Sequence, residues 1–258
     1  NMIYDYADFY YEALTEINPP EDCSPEYYMT LRGPDNDFAQ TSNRELLLYR
    51  EMPNAASTSK YYPSEEWLAN MDKEKDLRWI KFVYTVEGFT KNIGDAVYND
   101  GLRDLDYRGA QLASTQALTY PLLLLIKAEA EARTNKLTDA LASLNTLRKY
   151  RYDGDATDLE GGAGMSQDQL LDEILKERRR EQPLISFQRT LDLKRYALDG
   201  NKPWVRQTIT HKVGNKTYSK SITDPYFQSL PIDNAIINHN PEWGLQPNNT
   251  PFEPYKAW

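Results

Sequence analysis

Apolar residues in the centre of the chain recur at the three- and four-residue spacing of α-helices. This spacing predicts a first helix over about Leu118–Arg133, a short turn, and a second helix over about Leu137–Tyr150. Small residues on the predicted contact faces let two antiparallel helices approach closely; the residues that would meet are Ala128, Ala130 and Ala132 on one side and Ala140, Leu144 and Leu147 on the other. The pattern predicts a helical hairpin within 118–152. Its length suits one tetratricopeptide-like unit of about 34 residues, although the Trp, Gly and Tyr positions of the full consensus are not met.

A second helical stretch covers 166–198 and contains two helices. The first begins with a predicted capping box, in which the side chains of Ser166 and Gln169 satisfy each other's backbone amides. The second helix is predicted at about Phe187–Leu198. The apolar stripe of the first helix consists of Leu170, Leu171, Ile174 and Leu175.

Three consecutive arginines interrupt this apolar stripe. Helical spacing extends the stripe onto Arg178 and Arg179, so we expect at least one of them to point along the buried face. A half-buried guanidinium needs carboxylate partners, and the nearest are Glu177, Glu181 and Asp192. The stretch therefore favours an internal salt-bridge network between the two helices over a binding site for an anionic ligand.

The remaining patterns are shorter. They predict a helix over 1–17, a strand over Glu45–Tyr49, a helix capped by Ser64 with Trp67 in the core, a strand within 78–86, and a β-hairpin about Gly214-Asn215. Residues 1–62 are rich in loop signals and tyrosine, and 203–258 contain the hairpin and an irregular tail. The predicted fold is mainly α, with tetratricopeptide-like helical hairpins, long irregular loops and a small β-hairpin.

Charge and composition exclude several classes of protein. The formal net charge is −9, with 39 acidic and 30 basic residues, which opposes general attraction to nucleic acid or to an anionic membrane. One cysteine and two distant histidines exclude a multi-cysteine or multi-histidine metal site, so we predict neither a metal nor a cofactor. The longest apolar run, PLLLLI, is far shorter than the roughly 20 residues that span a bilayer.

Motifs of nucleophilic or metal-dependent catalysis are absent from the sequence. Neither histidine is near a G-x-S-x-G nucleophile motif, and no H-E-x-x-H zinc motif occurs. Glycoside hydrolysis uses a pair of carboxylates at a defined separation. A chain with 39 acidic residues could supply such a pair at many places, so their number alone does not indicate a catalytic pair. The sequence therefore predicts a protein that is not an enzyme.

Four segments, in order along the chain, resemble the SusD/RagB family of surface glycan-binding lipoproteins from Bacteroidetes nutrient-uptake systems. ILKERRREQPLISFQRTLDLKRYAL resembles the family's E-R-R-x-E helix and the D-L-x-R segment after it, and PLLLLIKAEAEARTNKLTDALASLNTLR resembles its last tetratricopeptide-like hairpin. YYPSEEWLANMDKEKDLR is similar to an element ending in D-x-R, and SLPIDNAIINHNPEWGLQPN to the terminal segment. The resemblance covers about residues 61–247.

The chain also differs from the family pattern. The family usually has Ala-Phe-Glu-Gly after E-R-R-x-E, where this chain has PLISFQR. Family members are about twice this length and begin with a lipid-anchored cysteine, whereas Cys23 lies in no lipobox. We therefore expect residues 1–258 to form a single C-terminal domain of such a protein, or a shortened relative of it, with the anchor outside the chain.

The resemblance implies glycan binding, for which the early part of the chain offers suitable side chains. Sugars stack on Trp and Tyr rings and form hydrogen bonds with Asp, Asn and Arg. The predicted glycan-binding residues are Tyr27, Tyr28, Asp35, Asn36, Arg50, Tyr61, Tyr62 and Trp204. For each of them the alternative is an ordinary packed or surface side chain, since single exposed aromatic residues are common.

Three functions follow as hypotheses. The first, implied by the resemblance, is non-catalytic binding of oligosaccharide or polysaccharide at the outer-membrane surface and its delivery to a SusC-like TonB-dependent transporter, with membrane contact only through a lipid anchor. The second is a tetratricopeptide-like scaffold that binds a protein and has no glycan site of its own. The third is a glycosidase, for which the sequence supplies no motif.

Overall fold

The fold is described from a computed structural model covering residues 2–13, 29–32, 44–47, 65–86, 91–93, 96–98, 104–107, 118–182, 188–213, 216–222 and 234–243. The chain divides into two compact units, unit 1 over 1–189 and unit 2 over 190–258. The longest elements are helices, which confirms the mainly α class. The prediction of one C-terminal domain stays a prediction.

Three helices form the centre of unit 1: α3 (Tyr120–Arg133), α4 (Leu137–Arg148) and α5 (Gln167–Glu181). They follow two short helices, α1 (Glu65–Ala69) and α2 (Leu77–Phe82). α3 packs against both α4 and α5. This arrangement confirms the predicted helical hairpin, and the turn between α3 and α4 contains Asn135 in the left-handed region, at φ 61°.

Small and apolar side chains fill the contact between α3 and α4. Ala128 and Ala132 on α3 and Ala140 and Leu147 on α4 are fully buried, as their spacing predicts. Ala130 is exposed, so its predicted place in the contact is wrong. The reason is helical phase, because a residue two positions from Ala128 points about 200° away around the helix axis. Trp67 is also fully buried, which confirms its predicted core position.

In its described part, 2–13, the N-terminal segment is not the helix predicted over 1–17. A 3-10 turn at Tyr6–Asp8 is followed by strand β1 (Tyr10–Ala13), which pairs antiparallel with β2 (Met29–Arg32). Closely spaced aromatic side chains explain the difference, because Tyr4 and Tyr6 both pack edge-on against Phe9, with ring centroids 5.9 and 5.2 Å apart. The three rings are buried together, which a short turn permits and a continuous helix does not.

Two further expectations need correction. The segment predicted as a strand within 78–86 begins as α2, because the side chain of Asp76 accepts a hydrogen bond from the backbone amide of Arg78 and caps the helix. Only its second half is a strand, β3 (Val83–Val86). The strand predicted at 45–49 is an isolated bridge between Leu46 and Thr119 in its described part, 45–47.

The other strands form two-stranded sheets. β3 pairs with β6 (Asp104–Tyr107), and β4 (Lys91–Ile93) pairs with β5 (Ala96–Tyr98), all antiparallel. In unit 2, β7 (Thr208–Val213) and β8 (Lys216–Ser221) pair antiparallel as the predicted hairpin, with Val213 opposite Lys216.

Two helices complete the described elements. α6 (Gln188–Tyr196) contains the boundary between the units and confirms the second helix of the 166–198 stretch. α7 (Asn234–His239) lies in the C-terminal segment. The capping box at the start of α5 is present as predicted: the Ser166 hydroxyl accepts from the Gln169 amide, and the Gln169 side chain accepts from the Ser166 amide.

Candidate functional site

Trp204 is the one predicted glycan-binding residue within the described part of the chain. Its indole nitrogen donates a hydrogen bond to the carboxylate of Asp199 at 2.7 Å, and the residue is 7% exposed. In this conformation the ring face is covered, and a sugar would need the segment to open before stacking on it. The other seven, Tyr27, Tyr28, Asp35, Asn36, Arg50, Tyr61 and Tyr62, lie outside the described residues. The predicted glycan-binding set stays a prediction.

The densest charged arrangement that the structure describes lies inside unit 1. It consists of four arginines and four carboxylates, which we call the charged cluster: Arg78, Arg148, Arg151, Arg180, Glu45, Asp76, Glu177 and Glu181. The formal charges of these eight side chains cancel. Its members come from segment 44–47, from the start of α2, from the end of α4 and the turn after it, and from the last turns of α5.

Glu177 is at the centre of the cluster and is fully buried. Its Oε2 lies 2.8 Å from Arg180 Nη2 and 3.2 Å from Arg148 Nη1, and its Oε1 lies 2.6 Å from Arg78 Nη2. The hydroxyl of Tyr152 also donates to Oε2, at 3.0 Å. Burial alone would raise the pKa of Glu177, but the three guanidinium groups outweigh it and hold that pKa well below its usual range.

Arg78 connects Glu177 to the rest of the cluster. Its Nε and Nη2 donate to the two oxygens of Asp76, at 2.8 and 2.9 Å, and Nη1 donates to Glu181 at 3.1 Å. The carboxylate of Asp76 thus caps α2 by accepting from the backbone amide of Arg78, and it also holds the guanidinium of Arg78 in place. Burial opposes the charged form, but the surrounding carboxylates raise the pKa of Arg78 well above its ordinary value.

Arg151 binds the other side of Glu181. Its Nε and Nη2 donate to Glu181 at 2.9 to 3.2 Å, and Nη2 also donates to Glu45 at 2.9 Å. Its Nη1 donates to the backbone oxygen of Tyr4 at 2.7 Å, and the guanidinium stacks 3.7 Å from the ring centroid of Tyr6. These contacts make Arg151 the link between the helices and the N-terminal segment.

The cluster is suited to holding the fold together and not to proton transfer. Burial, followed by the charge of Glu177, raises the pKa of Tyr152 above its ordinary value, so its phenol stays protonated at neutral pH. The carboxylates of Glu177 and Glu181 each accept from more than one arginine. Groups that are paired in this way are neither nucleophiles nor bases for an external substrate.

Arg178 and Arg179 behave as their helical phase predicts. Arg178 is 5% exposed, which confirms that an arginine of the run lies on the buried face, and it donates to Gln188 of α6 at 3.5 Å. Arg179 lies 3.8 Å from Glu66, which also binds Arg189 of α6. The predicted link between α5 and α6 is therefore present.

The predicted carboxylate partners also contact arginines outside the run. Asp192 binds Arg195 of its own helix at 2.8 Å. Glu177 pairs with Arg180 of the run, as predicted. The further partners of Glu177 and Glu181 are Arg78, Arg148 and Arg151, which all lie outside 174–196 and which the local pattern does not indicate. The cap at Asp76 was a local signal for the start of α2, but no local signal places Arg151 beside Glu45, because 106 positions separate them.

A comparison with known families gives one match. The sequence profile of the SusD family matches residues 120–249, which run from the start of α3 past α7. This is half of the chain. The chain belongs to the SusD family. No curated protein matches it significantly. SusD proteins are in general non-catalytic proteins that bind nutrients such as glycans and are associated with the outer membrane.

Three of the four SusD-like segments meet in the charged cluster. The first and last positions of E-R-R-x-E are Glu177 and Glu181, and the D-x-R element supplies Asp76 and Arg78. Arg148, at the end of the hairpin element, contacts Glu177. Residues 183–187, where this chain departs from the usual Ala-Phe-Glu-Gly of SusD proteins, lie outside the described residues.

Within the described ranges, no group of three or more His, Cys, Asp or Glu side chains is arranged to hold a metal ion. None of the helices described for the chain combines the length and the apolar character that a membrane span requires.

Proposed function

We propose that this protein binds oligosaccharide or polysaccharide at the outer-membrane surface, without catalysis, and delivers it to a SusC-like TonB-dependent transporter. The observation that carries the proposal is the SusD family match over 120–249, together with a helical core built from the family's own sequence elements. Membrane association would come from a lipid anchor outside the chain.

The predicted binding residues define the chemistry of the site. Tyrosine and tryptophan rings would stack on the apolar faces of pyranose rings, and the polar members of the set would bind the hydroxyl groups. The aromatic members of the set are Tyr27, Tyr28, Tyr61, Tyr62 and Trp204, and the polar members are Asp35, Asn36 and Arg50.

Affinity electrophoresis in gels that contain single polysaccharides tests binding directly. We expect the chain to be retarded by at least one polysaccharide, and calorimetry with oligosaccharides from that polymer should give a saturable isotherm. The double variant Tyr61→Ala and Tyr62→Ala should reduce the retardation, whereas Tyr120→Ala, on the helical hairpin, should not. Equal retardation of all three proteins would remove the tyrosine pair from the site, and no retardation in any polysaccharide would refute glycan binding.

Delivery to a transporter requires a second measurement. The chain, supplied with its anchor, should co-purify with a TonB-dependent transporter from outer membranes, and incubation with the bound polysaccharide should release no reducing sugar. Release of reducing sugar above background would support the glycosidase hypothesis instead.

The scaffold hypothesis has one observation in its favour. On α3, Leu123 and Ile126 are 40% and 44% exposed, so this helix presents apolar side chains outside the core. Capture of the transporter by a chain that binds no polysaccharide would favour this function over glycan binding. A Leu123→Ser and Ile126→Ser variant that loses the transporter, with Lys149→Ser as an exposed control, would place the contact on α3.

A further inference from the structure

Basic residues are segregated in one stretch of unit 2. Residues 200–223 contain five lysines and arginines but no aspartate or glutamate, so all 39 acidic residues of the chain lie elsewhere. In a chain whose formal net charge is −9, this stretch has a formal charge of +5. A local charge of this sign attracts anionic partners that the rest of the chain repels. The five basic residues are Lys202, Arg206, Lys212, Lys216 and Lys220.

The β7–β8 hairpin brings three of these basic positions together. Each strand has six residues, so the paired region is about 20 Å long at roughly 3.4 Å per residue. Lys216 and Lys220 lie four positions apart on β8 and therefore share one face of the hairpin, about 14 Å apart, whereas Lys212 on β7 belongs to the opposite face. The basic positions are thus distributed over a length that suits an extended polyanion better than a single small anion.

Exposed hydroxyl side chains occupy the hairpin face to which Lys212 belongs. Thr208 lies opposite Ser221 and Thr210 lies opposite Ser219, and Thr217 continues the row on β8. All five hydroxyl residues are exposed. We call them the hydroxyl row. A hydroxyl group both donates and accepts hydrogen bonds, so it can pair with the hydroxyls of a sugar and can also donate to a carboxylate.

The base of the hairpin is fixed within unit 2. Ile222, directly after β8, is fully buried, and its amide donates to the backbone oxygen of Gln207 at 3.1 Å. Trp204, four positions before β7, is nearly buried and is held by its hydrogen bond to Asp199. The hydroxyl row is therefore carried by paired strands that start from a packed base.

The exposed residues also favour one anionic partner over another. Basic segments that bind an anionic lipid surface insert exposed apolar side chains beside their lysines and arginines. Among the residues of 207–222 that are described as exposed, none is apolar, and all are hydroxyl or amide side chains. Side chains of this kind suit a carbohydrate, which is also the class of ligand that SusD proteins bind in general.

We propose that the glycan of this protein is an acidic polysaccharide, carrying carboxylate or sulfate groups, and that hairpin β7–β8 is part of the surface that binds it. Lys212 and the hydroxyl row would contact the polymer, and Lys216 and Lys220 would add to the local positive potential. This inference rests on the proposed function and names the class of glycan.

Affinity electrophoresis with matched polymers tests the class of glycan. The acidic probes are polygalacturonate, alginate and chondroitin sulfate. The neutral probes are dextran and fully methyl-esterified polygalacturonate, which keeps the sugar backbone and removes its charge. We expect at least one acidic probe to retard the full chain and the neutral probes to retard it far less. Because the chain as a whole is negatively charged, retention by a polyanion requires local attraction, and it should weaken as the salt concentration rises.

Two sets of lysine substitutions test whether the hairpin makes the contact. The triple variant Lys212→Gln, Lys216→Gln and Lys220→Gln should weaken affinity for the acidic probe about tenfold, as the loss of three exposed ion pairs would. The matched control removes the same total charge and should bind as the wild type does. It replaces three exposed lysines of unit 1 by glutamine: Lys73, Lys136 and Lys149.

A third variant tests the hydroxyl row. Thr210→Val together with Ser219→Ala removes two hydroxyls that lie opposite each other and leaves every charge in place. This variant should weaken affinity for the acidic probe several-fold without changing its dependence on salt. Circular dichroism establishes that each variant is folded before affinities are compared.

Several results would overturn the inference. Retardation by neutral probes alone would do so while the proposed function stands, and so would equal affinity of the hairpin lysine variant and its control. No retardation by any polysaccharide would refute the proposed function and the inference with it. Sedimentation with phosphatidylglycerol vesicles, without retardation by an acidic probe, would make the hairpin a lipid-binding surface instead. Should the lysine variant fail to fold, the variant of the hydroxyl row decides.

Discussion

Replacing Glu177 by glutamine tests whether the charged cluster is essential to the fold. The change keeps the size of the side chain and removes the charge that faces Arg78, Arg148 and Arg180. The cluster would then hold four arginines against three carboxylates in a buried region. Removing one partner of a buried ion pair typically costs about 3–5 kcal/mol, because the remaining charge is left uncompensated. Against a usual total of about 5–15 kcal/mol, this is a large fraction of the free energy of unfolding.

Urea unfolding, followed by circular dichroism and tryptophan fluorescence, measures this loss. Glu173→Gln is the matched control, because Glu173 is on the same helix and pairs at the surface with Lys176 at 2.7 Å. A surface pair of this kind contributes at most about 1 kcal/mol. A Glu177→Gln protein whose free energy of unfolding lies within 1 kcal/mol of the control would contradict the role assigned to the cluster.

The same variant should change the response to acid. The pKa of Glu177 is lowered in the folded chain, so its stabilising contribution is fully present above the ordinary value of 4.5 and is lost as the pH falls below that value toward the folded pKa. Glu177→Gln should therefore lose less stability between pH 5 and pH 3 than the wild type. Glu45 responds to acid in the opposite sense. Burial raises its pKa above 4.5, so at acidic pH it becomes protonated, and the free-energy cost of burying its charge disappears.

Three further substitutions test other contacts. The double variant Arg178→Ala and Arg179→Ala should lower the free energy of unfolding by about 1–3 kcal/mol without weakening glycan affinity; an unchanged melting temperature in a folded protein would contradict this. Ser166→Ala should cost about 0.5–2 kcal/mol through loss of the capping box, with Ser166→Asp close to the wild type. Gly162→Ala should cost about 1–3 kcal/mol in the same urea assay, because its Cβ would lie 2.6 Å from the side chain of Leu141; an equally stable protein would show that Leu141 moves aside freely.

The helical core could be predicted from the sequence because its signals are local. The apolar spacing of α3, α4 and α5 and the capping box at Ser166 are each contained within a few turns of helix. The phase of α5 even predicted that an arginine of the run would be buried. Hairpin β7–β8 could be predicted for the same reason, since the alternating apolar and polar residues and the turn signal lie in one short stretch.

The N-terminal segment and the charged cluster could not be predicted in the same way. Apolar and aromatic residues over 1–17 recur at helical spacing, and only the packing of Tyr4 and Tyr6 against Phe9, and of Tyr6 against Arg151, favours the turn and strand that form. Local spacing predicted carboxylate partners for the arginine run, but the cluster joins residues up to 106 positions apart. Such pairings depend on the assembled fold, which no window of the sequence contains.

The charged cluster also bears on how binding specificity can be altered in this protein. Its members lie in segment 44–47, at the start of α2, at the end of α4 and the turn after it, and on α5, whereas all eight predicted sugar contacts lie in other stretches of the chain. Those stretches could be replaced by others that prefer different sugars, while the eight charged residues stay unchanged. A library that randomises residues 50–62 and retains the charged cluster would therefore test new ligands on the same helical core. A motif search built on E-R-R-x-E would still find every member of that library and would say nothing about what each one binds.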